Sequence, residues 1–375
     1  MLKVVNQSRF YNVSVIQAYL IINMPHIAAV SKIDFLDKTN QQDVKAQALE
    51  MFSAHFPQAD RLMPAFDNTG IVTRNFVKPL SYYAEGTTFK QRNDEYIRLS
   101  LQYSVQAAET AIAKAGVNKM DITDLIFIST TGLATPSLDA LIVNQMRLNP
   151  HINRTPVWGL GCAGGVAGMA KANLAAKANA DAVVLLVAVE LCSLTLIKND
   201  YSKSNFIGSS LFSDGVAACI IKGDNFSLPQ KQIDIKAASS KLYYNSLDVM
   251  GWDFGEEGFK VIFSKDIPTF IHQNISADID GFLAKQGLQI GDIKNFIFHP
   301  GGKKVLDAYT DALQIKGDFL KNTREVMNDN GNMSSVTVLY VLDRFIAEGF
   351  TDGYGLMLAM GPGFSSEMVL LDMKN

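Results

Sequence analysis

Three residues of this 375-residue chain combine the types and local settings that thioester chemistry needs. Cys162 lies in Val157-Trp-Gly-Leu-Gly-Cys-Ala-Gly-Gly-Val-Ala-Gly168, after a short apolar segment and before an Ala- and Lys-rich stretch, Met169 to Ala180, that reads as helix. A cysteine that closes a turn and opens a helix meets unpaired N–H groups and a partial positive charge, which favour thiolate over thiol. Small neighbours let a thioester approach the backbone. The strand-turn-helix setting is that of a nucleophile elbow, without the G-x-S-x-G sequence. His299 ends the apolar run Phe296-Ile-Phe and meets Pro300-Gly-Gly302, a setting that His26, His55, His151 and His272 lack. Asn332 lies in Asn330-Gly-Asn-Met-Ser-Ser335, ahead of the helical stretch Val336 to Phe345. A thiolate takes an acyl group from a thioester, while imidazole and carboxamide N–H groups together stabilise an enolate oxygen. Loss of CO2 from a carboxylated thioester supplies that enolate, so no acidic base is required.

Each residue also has a plainer reading. Cysteine is most often a small buried hydrophobe, and Cys192 and Cys219, in apolar strand-like stretches, are read that way. An asparagine in a glycine-flanked turn is usually a turn former, and a strand-end histidine is often structural. An internal duplication tips the balance. Ala113-Lys-Ala-Gly116, Asp121-Ile122 and Leu125-Ile-Phe127 recur as Ala284-Lys-Gln-Gly287, Asp292-Ile293 and Phe296-Ile-Phe298, a shift of 171 residues. The same shift carries Val184–Val189 onto Gly355–Met360. A period this long implies two copies of one domain, not a solenoid. A shift of 170 carries Cys162 to Asn332, so the two are expected to be counterparts facing one cleft.

Amphipathic helices such as Glu95 to Ala115 alternate with apolar strands such as Leu125 to Ser129, which predicts an α/β fold with helices covering sheets. The longest apolar run, Ala182 to Val189, stops at Glu190. It falls short of the roughly 20 residues that span a bilayer and reads as a strand buried on both faces. Apolar residues make up 48% and charged residues 19%, and the net charge is −3. This globular balance, with no basic field, gives nucleic acid and anionic membrane no electrostatic support as partners. Three cysteines make no disulfide framework and fit a reducing, cytoplasmic setting. No metal motif of the HExxH or CxxC kind is present. Residues 1–23 lack the order of a signal peptide, and within them Val13 to Ile22 reads as a short strand or helix.

Gly161-Cys-Ala-Gly-Gly165, His299-Pro-Gly-Gly302, Gly331-Asn-Met-Ser-Ser335 and Gly361-Pro-Gly363, in this order and at these spacings, resemble the type III polyketide synthases, the chalcone synthase-like branch of the thiolase fold. The similarity runs from about Pro25, with His26–Val30 as the family's first strand, to the C-terminus, which leaves 1–23 as an extension and Met24 as a candidate start. The resemblance implies a duplicated five-layered αβαβα subunit, with an N-terminal half at 24–225 carrying the cysteine and a C-terminal half at 226–375 carrying His299 and Asn332. It implies a homodimer that loads an acyl-CoA starter, extends it with malonyl-CoA and needs no cofactor. It assigns Phe212 as a cavity gatekeeper, Thr130 to Thr135 and Pro136 to a loop reaching the partner's cavity, Thr195, Ser334 and Gly361-Pro362-Gly363 to the cavity wall, and Arg61, Asn68 and Lys304 to CoA. Val261 stands where a second gatekeeping phenylalanine is usual, and Cys192 where a threonine is usual. Both changes are expected to leave a more open apolar cavity suited to aliphatic starters and alkylpyrone or alkylresorcinol products. A β-ketoacyl synthase III, with a single condensation on a carrier protein, is disfavoured by the His-Pro-Gly-Gly and Gly-Asn-Met-Ser-Ser motifs. HMG-CoA synthase needs an acidic base with no evident candidate. A non-catalytic acyl-CoA binder is disfavoured by the complete Cys–His–Asn set.

Overall fold

The computed structural model describes residues 24–35, 38–53, 59–226 and 231–375. The sequence reading of Val13 to Ile22 therefore lies outside the described residues. The strands are β1 His26–Lys32, β2 Lys38–Asn40, β3 Thr73–Asn75, β4 Asp124–Ile128, β5 Asn153–Val157, β6 Val183–Leu191, β7 Asp214–Lys222, β8 Gln232–Leu242, β9 Met250–Gly255, β10 Gly258–Phe263, β11 Ile293–Phe298, β12 Gly353–Gly361 and β13 Ser365–Lys374. Nine of them form one mixed sheet in the order β11-β12-β13-β8-β1-β7-β6-β4-β5. Two half-sheets meet where β1 touches β8 through a single residue pair, His26 with Asp234.

The halves repeat each other in register. Leu125, Ile126 and Phe127 of β4 stand beside Leu185, Leu186 and Val187 of β6. Shifted by 171 residues, Phe296, Ile297 and Phe298 of β11 stand beside Leu356, Met357 and Leu358 of β12. One irregularity recurs, a bulge where β1 pairs with β7 and another where β8 pairs with β13. Gly116 and Gly287 end the equivalent helices, each at a left-handed φ (63° and 71°) that any other residue adopts only with strain. Helix Phe89–Ala115 starts six residues earlier than its hydrophobic pattern indicates, because Thr88 and Gln91 form a capping box.

Side-chain alternation assigns the layers. Ile126, Leu186 and Cys219, and in the other half Ile297, Met357 and Val369, face a central core filled by helices Gly164–Ala178 and Thr337–Glu348. Leu125, Val187 and Ile220 face the opposite way, onto helix Phe89–Ala115. Phe296, Leu358 and Leu370 pack under helices Ile267–Ala284 and Lys303–Leu313. The stack is helix, sheet, helix, sheet, helix, the duplicated αβαβα arrangement. Strand β6 is buried along its whole length and runs through Glu190, which lies inside the strand and does not stop it. The helix expected from Met169 begins at Gly164. Its glycines are needed for contact: a side chain on Gly165 would strike the carbonyl of Ser335 at the start of the other central helix.

Candidate active site

Cys162 occupies a short 3-10 turn, Gly161–Ala163, that leads directly into helix Gly164–Ala178. The turn is clamped from the C-terminal half. Gly161 has a φ of 47°, and a Cβ on it would lie 2.6 Å from the ring of Pro362. A side chain on Gly361 would likewise strike the Leu160 carbonyl, so both glycines are required for the approach. The thiol is buried and donates to the Ser334 hydroxyl at 3.7 Å. Ser334 itself is held at a φ of 50°, an uncommon conformation for a residue with a side chain.

A chain of short contacts joins the motifs. The Ser334 amide donates to Asn332 Oδ1 at 2.9 Å, and Asn332 Nδ2 donates to the Gly301 carbonyl at 2.8 Å. Gly301 follows His299 by two residues, and the His299 amide anchors the end of β11 by donating to Leu358 at 2.8 Å. The His299 ring is buried, and among the described residues neither ring nitrogen has a hydrogen-bond partner. Burial pulls its pKa down to about 3, so the resting imidazole is neutral. A neutral imidazole keeps one N–H to give to a substrate oxygen.

Two sequence expectations need correction here. Burial pushes the Cys162 thiol up to about 12, against the expected stabilisation of thiolate, because removal from water outweighs the Ser334 hydrogen bond. Burial thus favours the uncharged form of each group, thiol at Cys162 and neutral imidazole at His299. Nor is Asn332 the counterpart of Cys162. The turn Ser334–Val336 and helix Thr337–Glu348 match Gly161–Ala163 and Gly164–Ala178 at a shift of 173, which pairs Cys162 with Ser335 and leaves Asn332 in the preceding loop. The extra residues lie between the strand and its helix, so the shift read from the strands does not hold at the helix starts.

Ser335 faces Glu190, which sequence inspection noted only as the end of an apolar run. The carboxylate accepts from the Ser335 hydroxyl at 2.7 Å and from the Thr130 hydroxyl and amide at 3.0 Å each. Burial raises it to about 7 in spite of these donors. A lone charge closing an otherwise apolar strand was the available signal, since a buried carboxylate demands partners.

A cavity of about 40 Å³ opens beside Cys162, walled by Thr130, Cys192, Phe212, Val261, Ser334 and Pro362, and also by Trp252. Trp252 donates from its indole nitrogen to the Thr130 carbonyl at 3.0 Å and packs on Phe259. It pairs with Val261 across β9 and β10, and the two side chains line the cavity together. An apolar space of about 70 Å³ lies behind, sharing Cys192, Phe212, Trp252 and Val261 as walls and adding Thr195, Val44, Met51 and Phe52. Phe212 pairs with Asn332 through a backbone bridge. Thr135 is exposed and lines neither space. Gly361 and Gly363 shape the loop around Pro362 without lining the space.

Asn68 and Lys304 come together at a separate opening of about 490 Å³, with Lys203, Lys265 and Lys303 contributing further positive charge. Leu211 and Gly301 form its inner wall, and these residues neighbour Phe212 and bond Asn332. Arg61 is exposed and does not line it. Lys203, Lys265 and Lys303, unlike Lys304, escaped sequence inspection because they come from three distant segments. Among the described residues, no group of three or more His, Cys, Asp or Glu is arranged to hold a metal ion, and no helix is long and apolar enough to cross a membrane.

A duplicated thiolase-like αβαβα core with a buried cysteine at a central helix start defines a condensing acyltransferase. Residues 77–225 match the N-terminal domain of chalcone and stilbene synthases and residues 234–374 their C-terminal domain, so the chain belongs to the chalcone and stilbene synthase family. It is 41% identical to a chalcone synthase-type protein of Bacillus subtilis (strain 168), over 88% of this chain and 94% of that one. It is 37% identical to 1,3,6,8-tetrahydroxynaphthalene synthase of Streptomyces peucetius subsp. caesius, covering 84% and 85%. The fold superposes on the crystal structure of 1,3,6,8-tetrahydroxynaphthalene synthase from Streptomyces coelicolor A3(2), a bacterial type III polyketide synthase, with a TM-score of 0.88 and 26% identity over 93% of this chain and 99% of that one. The protein is a type III polyketide synthase, an acyltransferase that uses CoA thioesters as substrates and no cofactor.

Proposed function

We propose that Cys162 carries the growing chain and that His299 and Asn332 form the oxyanion site for malonyl-CoA. The observation that carries this reading is the chain of contacts from Cys162 through Ser334 and Asn332 to the loop after His299, which brings the three motifs to one buried place. Cys162 Sγ attacks the starter thioester, the C–S bond to CoA breaks, and the thiol proton leaves with the CoA. Malonyl-CoA then places its thioester carbonyl against the His299 and Asn332 N–H groups. The bond to the carboxylate breaks and CO2 departs. The electron pair becomes an enolate, whose charge those donors hold in a site shut off from water. The enolate carbon attacks the acyl-Cys162 carbonyl and expels the thiolate, which takes up a proton.

The CoA thioesters enter by the lysine-bearing opening, with Lys203, Lys304 and Asn68 beside the phosphates. The starter chain passes Val261 and Cys192 into the apolar space behind, which favours an aliphatic acyl-CoA and an alkylpyrone or alkylresorcinol product. The enzyme works as a cytoplasmic homodimer. Exposed Leu133 and Trp158 and the solvent-facing edge strand β5 supply the dimer face. Residues 24–225 bring the nucleophile to this chemistry and residues 226–375 the oxyanion donors.

The test is product mass spectrometry with malonyl-CoA and a panel of aliphatic and aromatic acyl-CoAs, with Cys162→Ala as control. Pyrones or resorcinols bearing an aliphatic chain are expected, and none from the variant. Products made from malonyl-CoA alone, or from aromatic starters only, would overturn the starter assignment.

A further inference from the structure

Arg74, at the centre of β3, is the largest fully buried side chain among the described residues. Burying a guanidinium is costly unless the charge is paired or the group is held for some other reason. Among the described residues no carboxylate lies within ion-pair distance of it. Asp214, the anion that acts on it electrostatically, is instead engaged by the Ser193 amide at 2.8 Å, the Ser193 hydroxyl at 2.6 Å and the Val77 amide at 2.8 Å. The Arg74 Nε is unpartnered. Its Nη1 makes one bond, donating to the Phe212 carbonyl at 2.8 Å. The guanidinium lies 4.9 Å from the Phe76 ring centre and borders the apolar space behind Cys192.

That single bond falls on a strategic peptide. Phe212 is a wall of the Cys162 cavity and the bridge partner of Asn332. The Asn332 amide donates to Leu211 at 3.0 Å, and the Ser213 amide donates back to the Asn332 carbonyl at 2.8 Å. The stem of Arg74 reaches the other side of the same loop, since a Cβ on Gly331 would lie 3.1 Å from Arg74 Cγ and Cδ. Next in sequence, the Asn75 amide donates to the Ser213 hydroxyl at 2.8 Å, and that hydroxyl donates to the Asn75 carbonyl at 3.0 Å. One short strand thus grips both sides of the Phe212–Asn332 bridge.

We propose that Arg74 is the positioning residue of the condensation site, holding the Phe212 and Asn332 segments together so that the Asn332 carboxamide stays aimed at the malonyl thioester oxygen. The inference rests on the reading of Asn332 as an oxyanion donor. Arg74 acts through Phe212 and Gly331 and touches no reacting atom. Loading of Cys162, whose turn is held by Pro362, does not depend on it.

The test separates the two half-reactions in purified full-length protein. Release of CO2 from malonyl-CoA reports on the oxyanion site, and intact-protein mass with a fatty acyl-CoA reports on loading of Cys162. Arg74→Lys keeps a cation but loses the fork that reaches Phe212. It is expected to lower kcat for decarboxylation about tenfold, by loosening a donor's aim, with KM and the loading rate unchanged. Ser213→Ala, which cuts the link to Asn75 without removing a charge, is expected to give the same split at smaller size, and serves if Arg74→Lys does not fold. Equal loss in both half-reactions, or decarboxylation at the wild-type rate in a folded variant, would overturn the proposal. Asn332→Ala is the control: if it decarboxylates normally, the oxyanion reading fails, and not the clamp.

Discussion

Helices Gly164–Ala178 and Thr337–Glu348 occupy matching places in the two halves, and each is entered through a three-residue 3-10 turn. In the first turn Cys162 faces the cavity and its thiol meets Ser334. In the second, the counterpart Ser335 turns its hydroxyl to Glu190 and belongs to the packing between the halves. The proposed oxyanion donors lie elsewhere, Asn332 in the loop before the second turn and His299 directly after β11, the repeat of β4. A duplication supplies two equivalent helix starts, yet the two are not interchangeable. One carries the proposed nucleophile, and the other packs against the first helix and bonds Glu190.

The largest effect expected follows from the first helix start. Cys162→Ala should abolish polyketide formation, by at least about a thousandfold in product mass spectrometry, because acyl transfer has no other acceptor. A thiol placed at the counterpart, Ser335→Cys in the Cys162→Ala protein, should restore nothing. Product formation in that double variant would break the comparison. Removing a donor is next in size. His299→Ala should lower the rate of CO2 release from malonyl-CoA by about a hundredfold, the usual cost of one oxyanion donor, with circular dichroism unchanged.

Smaller effects sharpen the account of the cavity. Trp252→Gly removes the wall shared by the Cys162 cavity and the apolar space behind it. Longer or more extended products should then appear by mass spectrometry, since product size would no longer be limited by that ring. Lys203→Ala with Lys304→Ala should raise KM for the acyl-CoA about fivefold at low salt and less at high salt, as screened charge–charge attraction requires. Unchanged KM would move CoA binding elsewhere.

An effect on stability and not on turnover concerns Glu190, whose carboxyl is raised to about 7 by burial. The folded protein keeps this proton where the unfolded chain, with an ordinary carboxyl near 4.3, has lost it. The folded state therefore binds more protons between these two values, and stability must fall as pH rises through that window. Glu190→Gln should flatten the difference in denaturant stability between pH 5 and pH 8 by about 2 kcal/mol, with Asp214, raised to about 6 by burial, supplying what remains. An undiminished pH dependence would show that Glu190 is ionised in the folded state.

Much of this frame is legible in the sequence because it is written in local signals. The Gly116 and Gly287 helix stops and the runs Leu125–Phe127 and Phe296–Phe298 announce the repeat, and the structure reproduces them at one shift. Cys162, His299 and Asn332 stand out by their glycine-rich turns. What escaped is what depends on packing between segments. Nothing local to Cys162 reveals that burial would raise its pKa. Nothing near Val261 reveals that Trp252, nine residues earlier, stands beside it in the cavity wall. The pairing of Ser335 with Glu190 and the grip of Arg74 on Phe212 each join positions more than a hundred residues apart.

The most direct test of the central claim, that the two halves divide the chemistry, is a paired measurement on two variants. Intact-protein mass after incubation with a fatty acyl-CoA and CO2 release from malonyl-CoA would be recorded for Cys162→Ala and Asn332→Ala. The expected result is that Cys162→Ala gains no acyl mass yet still releases CO2, whereas Asn332→Ala is acylated yet releases CO2 about a hundredfold more slowly. Acylation of Cys162→Ala, or wild-type CO2 release by Asn332→Ala, would contradict it.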